Sequence, residues 1–357
     1  MKKKDKKKFK REKINLRNLD IDNLEDFYIY EDELINEKRA EKKIVSKSQK
    51  TQKNNVNLVK GRILEVMSNL ICKVKLEDEI IECTVGGRLK NINYRSRNLV
   101  APGDFVNVDM SKNPRIEEIL PRKNSISRYS ESRFQNEIIL ASNIDLLVVV
   151  ASLKEPMINL GLIDRFICAA ELQKIPKILI CVNKIDLGDS LDSVKRKMDF
   201  YVRNGYKVVF TSAKKSKGIE LLKKELKNKI SVFAGHSGTG KSSLINRLQP
   251  DLNVKVKDIS SYSMKGKHTT SSTKLYKFNF GGYLTDTPGI KTFGLRREEA
   301  DYIPYIFPGI SNYSAKCHFN NCTHTHEEDC ALKLAVKRGI YPKERYNSYL
   351  RIYESLK

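Results

Sequence analysis

Four short stretches of this chain hold residue types that can do chemistry, at spacings a random loop rarely supplies. The first is Gly235-His236-Ser237-Gly238-Thr239-Gly240-Lys241-Ser242-Ser243, which follows the apolar run Val232-Phe233-Ala234 and precedes Leu244-Ile245. Its glycines let the backbone turn tightly enough for several N–H groups to face one phosphate, which also meets the positive end of the helix expected there. Lys241 is expected on the β- and γ-phosphates of a nucleotide, and the Ser242 hydroxyl on the accompanying Mg²⁺. A chance glycine-rich turn would lack the strand before it and the helix after it, and the flanks here suit both.

The second stretch, Asn183-Lys184-Ile185-Asp186, follows the apolar run Ile178–Val182. An ionised Asp186 can accept from the N1–H and the exocyclic amine of guanine. Adenine presents a lone pair at N1 and would leave the carboxylate facing an acceptor, a mismatch that can discriminate by ~10⁴ or more. Asn183 is expected to tie the base pocket to the phosphate loop, and the Lys184 stem to cover the base. Such a tetrapeptide also makes an ordinary turn; it gains force from Ser212-Ala213-Lys214, which ends another apolar run and can offer a backbone N–H to the base oxygen. The third stretch is Asp286-Thr287-Pro288-Gly289, with Asp286 expected to hold Mg²⁺ through water and the Gly289 N–H to sense the γ-phosphate. Upstream lies Met264-Lys265-Gly266-Lys267-His268-Thr269-Thr270, where Thr270 is the expected switch ligand to Mg²⁺. Ile290 follows Gly289 and cannot orient a nucleophile, so the attacking water is assigned to His268, with His236 as the alternative.

The fourth stretch places Cys317, Cys322, His324 and Cys330 in Cys-x₄-Cys-x-His-x₅-Cys spacing, a donor set suited to tetrahedral Zn²⁺. His318 and His326 are alternative imidazoles. Four protein ligands close the shell, so the ion, about one per chain, is expected to be structural.

These residues need particular elements beneath them. Buried apolar strands at Leu146–Val150 and Ile178–Val182, with a helix over Ile163–Leu172 between them, predict a parallel α/β sheet covered on both faces. Nucleotides bind at strand ends in such sheets. The base-reading stretch precedes the phosphate loop in the chain, which predicts a circularly permuted domain over 125–298. Before it, short β-type runs at Val59–Val66, Leu70–Leu76, Ile80–Val85 and Phe105–Val108, with turns at Gly86-Gly87 and Pro102-Gly103-Asp104, predict an OB-fold barrel over 56–124. Arg88, Lys90, Arg95 and Arg97 crowd the loop after its third run, with Tyr94 as a stacking face. Residues 299–357 are expected to form an α-rich zinc-binding domain with basic helices, and residues 1–55 a lysine-rich, then acidic, mobile tail. The fold class is therefore multidomain: an all-β barrel, a central α/β P-loop domain and a C-terminal zinc domain.

Composition points to the partner. The chain has 357 residues, with 67 Lys+Arg against 43 Asp+Glu, a net charge of +24, and so favours a polyanion such as RNA. Its seven cysteines, an odd count without a secretory leader, argue against disulfides and for a reducing cytoplasm. The longest apolar run, Leu146–Ala151, is far too short to cross a bilayer, so no membrane is expected.

Together the barrel, the permuted motif order and the zinc spacing resemble the ribosome small-subunit-dependent GTPase A family, over about Val56 to the C-terminus. The resemblance implies a GTP-to-GDP hydrolase that binds the maturing small ribosomal subunit and its rRNA, is stimulated by it, and acts late in assembly. It also implies a histidine at the position of His268, and a monomer is expected. A metabolic P-loop phosphotransferase and a non-catalytic RNA-binding module are the alternatives, separated by nucleotide preference and by turnover.

Overall fold

The computed structural model describes residues 58–67, 71–77, 79–90, 98–111, 113–129, 137–188, 190–252, 273–285 and 295–357. The expected tail, the helix anticipated over Asp22–Glu37, Tyr94, Arg95, Arg97, His268, Thr270, Asp286 and Gly289 lie outside them.

The first element group is a five-stranded barrel: β1 (Leu58–Val66), β2 (Ile71–Lys75), β3 (Ile80–Val85), the short α1 (Gly87–Lys90), β4 (Phe105–Asp109) and β5 (Arg115–Ile119). Its order is β1-β2-β3-β5-β4, closed by β4 pairing back onto β1. The β3–β5 pair is parallel and the others antiparallel. Period-2 alternation sends Ile63, Cys72, Val74, Val106, Val108 and Ile116 inward. The sequence does not reveal β5, because Ile116 is its one fully buried side chain, set between charged neighbours. Gly87, expected in a turn, opens α1 instead and carries Arg88 on a helical turn rather than a loop.

A two-stranded ladder of β6 (Ser125–Tyr129) and β7 (Glu137–Ser142) leads from the barrel into the α/β sheet. The buried Asp104 pins the junction: it accepts from Arg122 Nε and Nη2 at 2.6 and 2.7 Å, and from Ser142 Oγ at 2.6 Å.

The α/β unit runs β8 (Leu146–Ser152), α2 (Leu160–Leu172), β9 (Ile178–Asn183), α3 (Asp192–Arg203), β10 (Lys207–Phe210), α4 (Ile219–Leu226), β11 (Ile230–Ala234), α5 (Lys241–Leu248), β12 (Thr273–Lys277) and β13 (Tyr283–Thr285). Strands β10-β9-β8-β11-β13 are parallel, and β12 closes the row antiparallel before meeting β1 at Glu65↔Lys274 and Val66↔Thr273. Every residue of β8 is buried because both faces are covered. Leu147 and Val149 pack on one side with Ile163, Ile167 and Met198; Leu146 and Val148 pack on the other with Leu222, Leu244 and Ile245.

The C-terminal helices α6 (Ile303–Ile306), α7 (Ser311–Ser314), α8 (Ala331–Lys337) and α9 (Lys343–Glu354) share the first of those cores through Phe307, Leu332, Tyr349 and Ile352. A buried polar cluster ties α9 to α2 and α3. Arg345 Nη1 lies 2.5 Å from Asp164 Oδ2, and Tyr201 Oη donates to Asp164 Oδ1 at 2.7 Å. Burial raises the pKa of Asp164 against the pull of Arg345. Among the described residues no helix is long and apolar enough to cross a membrane.

Candidate nucleotide site and metal cluster

The carboxyl ends of β8, β9 and β11 meet at one edge of the sheet, where such folds bind ligands. The loop after β11 needs glycine at its two ends. Gly235 has φ +151°, and a Cβ there would sit 2.2 Å from Val150 O; Gly240 has φ +89°, and its Cβ would sit 2.4 Å from Asn183 Nδ2. Lys241, the first residue of α5, folds its ammonium back over the loop, donating to Gly235 O at 2.9 Å and His236 O at 2.8 Å. Thr239 Oγ1 donates to the same His236 carbonyl at 2.9 Å, and His236 Nδ1 lies 2.7 Å from Ser237 O. Ser242 is buried at the helix start and Ser243 is exposed beside it.

Asn183, the last residue of β9 and fully buried, joins three segments with one amide. Its Nδ2 donates to Thr239 O at 3.0 Å, while its Oδ1 accepts from Thr211 Oγ1 and from Ala213 N, each at 3.2 Å. Lys184 adopts a left-handed φ of +60° and sends its ammonium to the Glu155 carbonyl. The 3₁₀ turn Ile185–Leu187 then presents Asp186 to Ser212, whose Oγ donates to Asp186 Oδ1 at 2.5 Å. That hydrogen bond, supported by the nearby Lys214 and Lys215, holds the Asp186 carboxyl below the usual carboxylate range. Asp186 is therefore an ionised acceptor, and it borders a cavity of about 510 Å³ whose wall also includes Asn183, Lys184, Lys214, Gly240 and Arg247.

The fold thus brings together the expected phosphate loop, Asn183-Lys184-Ile185-Asp186 and Ser212-Ala213-Lys214. It adds Glu155, Thr211 and Arg247, which no motif announces because they act on backbone atoms or on another side chain.

Some distance along the chain, Cys317, Cys322, His324 and Cys330 converge with their donor atoms all within 4.8 Å of one another. His324 Nδ1 lies 3.5 Å from Cys317 Sγ and 3.3 Å from Cys330 Sγ, and the two sulfurs are 4.0 Å apart. A tetrahedral Zn²⁺ with bonds of about 2.3 Å to sulfur and 2.0 Å to nitrogen has edges of roughly 3.5–3.8 Å, so the donor set fits. Ser314 Oγ lies 3.2 Å from His324 Nε2 and 3.4 Å from Ile310 O. With the hydroxyl donating to that carbonyl, its oxygen is placed to accept from Nε2–H, the tautomer that leaves the Nδ1 lone pair toward the thiols. Burial lowers the His324 pKa, keeping the imidazole neutral as a ligand must be. Around it, Glu327 accepts from the amides of Thr323 and Thr325 at 2.5 and 2.9 Å, and Tyr346 Oη donates to His324 O at 2.9 Å. Partial burial opposes the Glu327 charge, but hydrogen bonds from its own backbone N–H, from the Thr323 hydroxyl and from the Thr323 and Thr325 amides win and hold its pKa at about 2. Cys330 also caps α8 by accepting from Lys333 N at 3.5 Å. Neither His318 nor His326 belongs to the cluster.

A parallel sheet with a phosphate loop after one strand, and an Asn-Lys-x-Asp strand end beside it but earlier in the chain, defines the class of P-loop nucleotide-binding proteins with permuted connectivity. The family pattern of the RsgA GTPase matches residues 119–296. The Small ribosomal subunit biogenesis GTPase RsgA 2 of Bacteroides thetaiotaomicron is 39% identical over 287 residues, covering 79% of this chain and 92% of the relative. A Small ribosomal subunit biogenesis GTPase RsgA of Caldanaerobacter subterraneus is 36% identical over 302 residues, covering 84% and 96%. Among solved structures, YjeQ from Thermotoga maritima aligns with a TM-score of 0.68 and 32% identity, over 84% of this chain and 98% of its own. YloQ, described as a circularly permuted GTPase, aligns with a TM-score of 0.64 and 27% identity, over 86% and 98%. The chain belongs to the RsgA GTPase family and is a GTP-hydrolysing enzyme.

Proposed function

We propose that this chain hydrolyses GTP in the maturation of the small ribosomal subunit, binds that subunit through its rRNA, and turns over faster when bound. The carrying observation is the shared cavity. A nucleotide whose phosphates occupy the loop from Gly235 to Ser243 presents its base toward an Asp186 already held ionised. The relatives' names support the ribosomal assignment, since the alignments span more than nine-tenths of their length.

In this reading Asp186 accepts from guanine N1–H and the exocyclic amine, Lys184 covers the base, and the 212–214 loop meets the base oxygen. Lys241, now resting on Gly235 O and His236 O, transfers its ammonium to the β- and γ-phosphates. Ser242 and Thr270 ligate Mg²⁺, Asp286 holds it through water, the Gly289 N–H contacts the γ-phosphate, and His268 positions the attacking water. Zn²⁺ at Cys317, Cys322, His324 and Cys330 is structural. The barrel over 56–124, of OB type, and the basic helices within 299–357 flank the GTPase domain of 125–298 and grip rRNA; the chain acts as a cytoplasmic monomer.

Co-sedimentation tests the ribosomal assignment. With a non-hydrolysable GTP analogue the chain should pellet with purified small subunits and not with large ones; equal retention by both subunits would overturn it.

A further inference from the structure

The loop Ser212-Ala213-Lys214 at the base pocket has three backbone N–H groups, and the fold has already used two. Ser212 N donates to Lys217 O at 3.0 Å, and Ala213 N donates to Asn183 Oδ1 at 3.2 Å. Among the described residues no acceptor takes up Lys214 N, and Lys214 lines the nucleotide cavity. The carbonyl of the same peptide unit, Ala213 O, accepts from Arg247 Nε at 3.0 Å. In a trans peptide the C=O and N–H are coplanar and point in opposite directions. Fixing the carbonyl of one such unit therefore aims its amide.

Arg247 comes from a different element. It stands on α5, the helix that starts at the phosphate loop, and lines the same cavity as Asp186 and Lys214. Its guanidinium presents Nε–H from a rigid plane. A hydrogen bond from a charged donor to a carbonyl polarises the peptide and strengthens its N–H as a donor.

We propose that Arg247 is a positioning and specificity-determining residue for the nucleobase: it clamps the Ala213–Lys214 peptide so that the Lys214 N–H meets the 6-oxo group of guanine. This rests on the base pocket described above. It goes further in dividing the purine edge between two devices, the Asp186 carboxylate for the donors at N1 and N2 and the Arg247-braced amide for the acceptor at position 6. Because Arg247 belongs to the phosphate-loop helix, it also locks the base-reading loop to the phosphate-reading element.

The experiment measures equilibrium affinity of the full chain for GTP, for inosine triphosphate, which keeps the 6-oxo group and lacks the 2-amine, and for 2-aminopurine riboside triphosphate, which lacks the 6-oxo group. Arg247 is exposed, so its replacement leaves the core untouched. Arg247→Ala should weaken GTP and inosine triphosphate by roughly tenfold each and leave 2-aminopurine riboside triphosphate unchanged. Arg247→Gln, which still offers an N–H donor, should recover most of the loss. Asp186→Asn is the companion variant. If it loses the preference for GTP over ATP while Arg247→Ala binds all three nucleotides as the parent does, the clamp is refuted and the base pocket stands. If both variants bind like the parent, the pocket reading and the clamp fall together. A uniform loss across all three nucleotides would assign Arg247 to general packing and overturn the specificity role.

Discussion

At the scale of single residues, the proposed nucleotide choice rests on Asp186, and the environment of that side chain sets what can be tested. Ser212 donates to Asp186 Oδ1 and helps hold the carboxyl ionised, so Asp186→Asn replaces a charged acceptor with a group that must present a donor to one guanine N–H. The discrimination for GTP over ATP should fall by on the order of 10²-fold or more in competition binding; unchanged selectivity would remove the assignment. The pH dependence has a definite sign. Because its pKa is depressed in the fold, the carboxylate persists through the usual carboxylate range of about 4, and the proposed guanine preference should be lost only as pH falls below that range. Asp186, Asn183 and Lys241 are legible in the sequence because each sits in a motif whose spacing is local. Arg247 is not, since its partner at position 213 is 34 residues away and is a backbone carbonyl.

At the scale of elements, what sequence reveals depends on how many faces a strand buries. The continuous Leu146-Leu147-Val148-Val149-Val150 is visible because both sides of β8 are covered, whereas β5, with its charged neighbours, shows no usable period. Hydrophobic periodicity is equally blind to the bridge from α9 to α2, whose partners Arg345 and Asp164 stand 181 residues apart. With side chains only 7% and 0% exposed, this pair should behave as a buried one. Arg345→Met leaves an uncompensated carboxylate and should cost about 3–5 kcal/mol in chemical denaturation, while the Asp164→Leu/Arg345→Met double variant should cost clearly less. Equal losses in the two would mean that packing, not charge, dominates the contact. The metal cluster makes a separate prediction. Freshly purified protein should contain about one Zn²⁺ per chain, and Cys322→Ser should lose it and loosen the helices around it, since structural zinc contributes on the order of 10 kcal/mol locally. Zinc-free parent protein would contradict this.

For the whole molecule, the net charge of +24 and the fusion of barrel, GTPase sheet and C-terminal helices are the relevant quantities. The α/β sheet continues into the barrel through β12 and β1, and the C-terminal helices share a core with α2. Nucleotide-dependent changes near the phosphate loop therefore have packed elements to act on, rather than loose tethers. If rRNA phosphates are the ligand of this charge, binding to the small subunit should weaken by ~10³-fold or more between about 50 and 200 mM salt, as expected for six or more phosphate contacts. A flat salt response would instead indicate a protein-only interface. The central claim is that this GTPase takes its activating signal from the small ribosomal subunit. Steady-state hydrolysis of GTP and ATP by the full chain, with and without purified small subunits, tests it most directly. The account predicts slow GTP turnover alone, a rise of at least tenfold with subunits as the attacking water becomes positioned, and no comparable response with ATP; GTP turnover that stays the same at saturating subunit would contradict it.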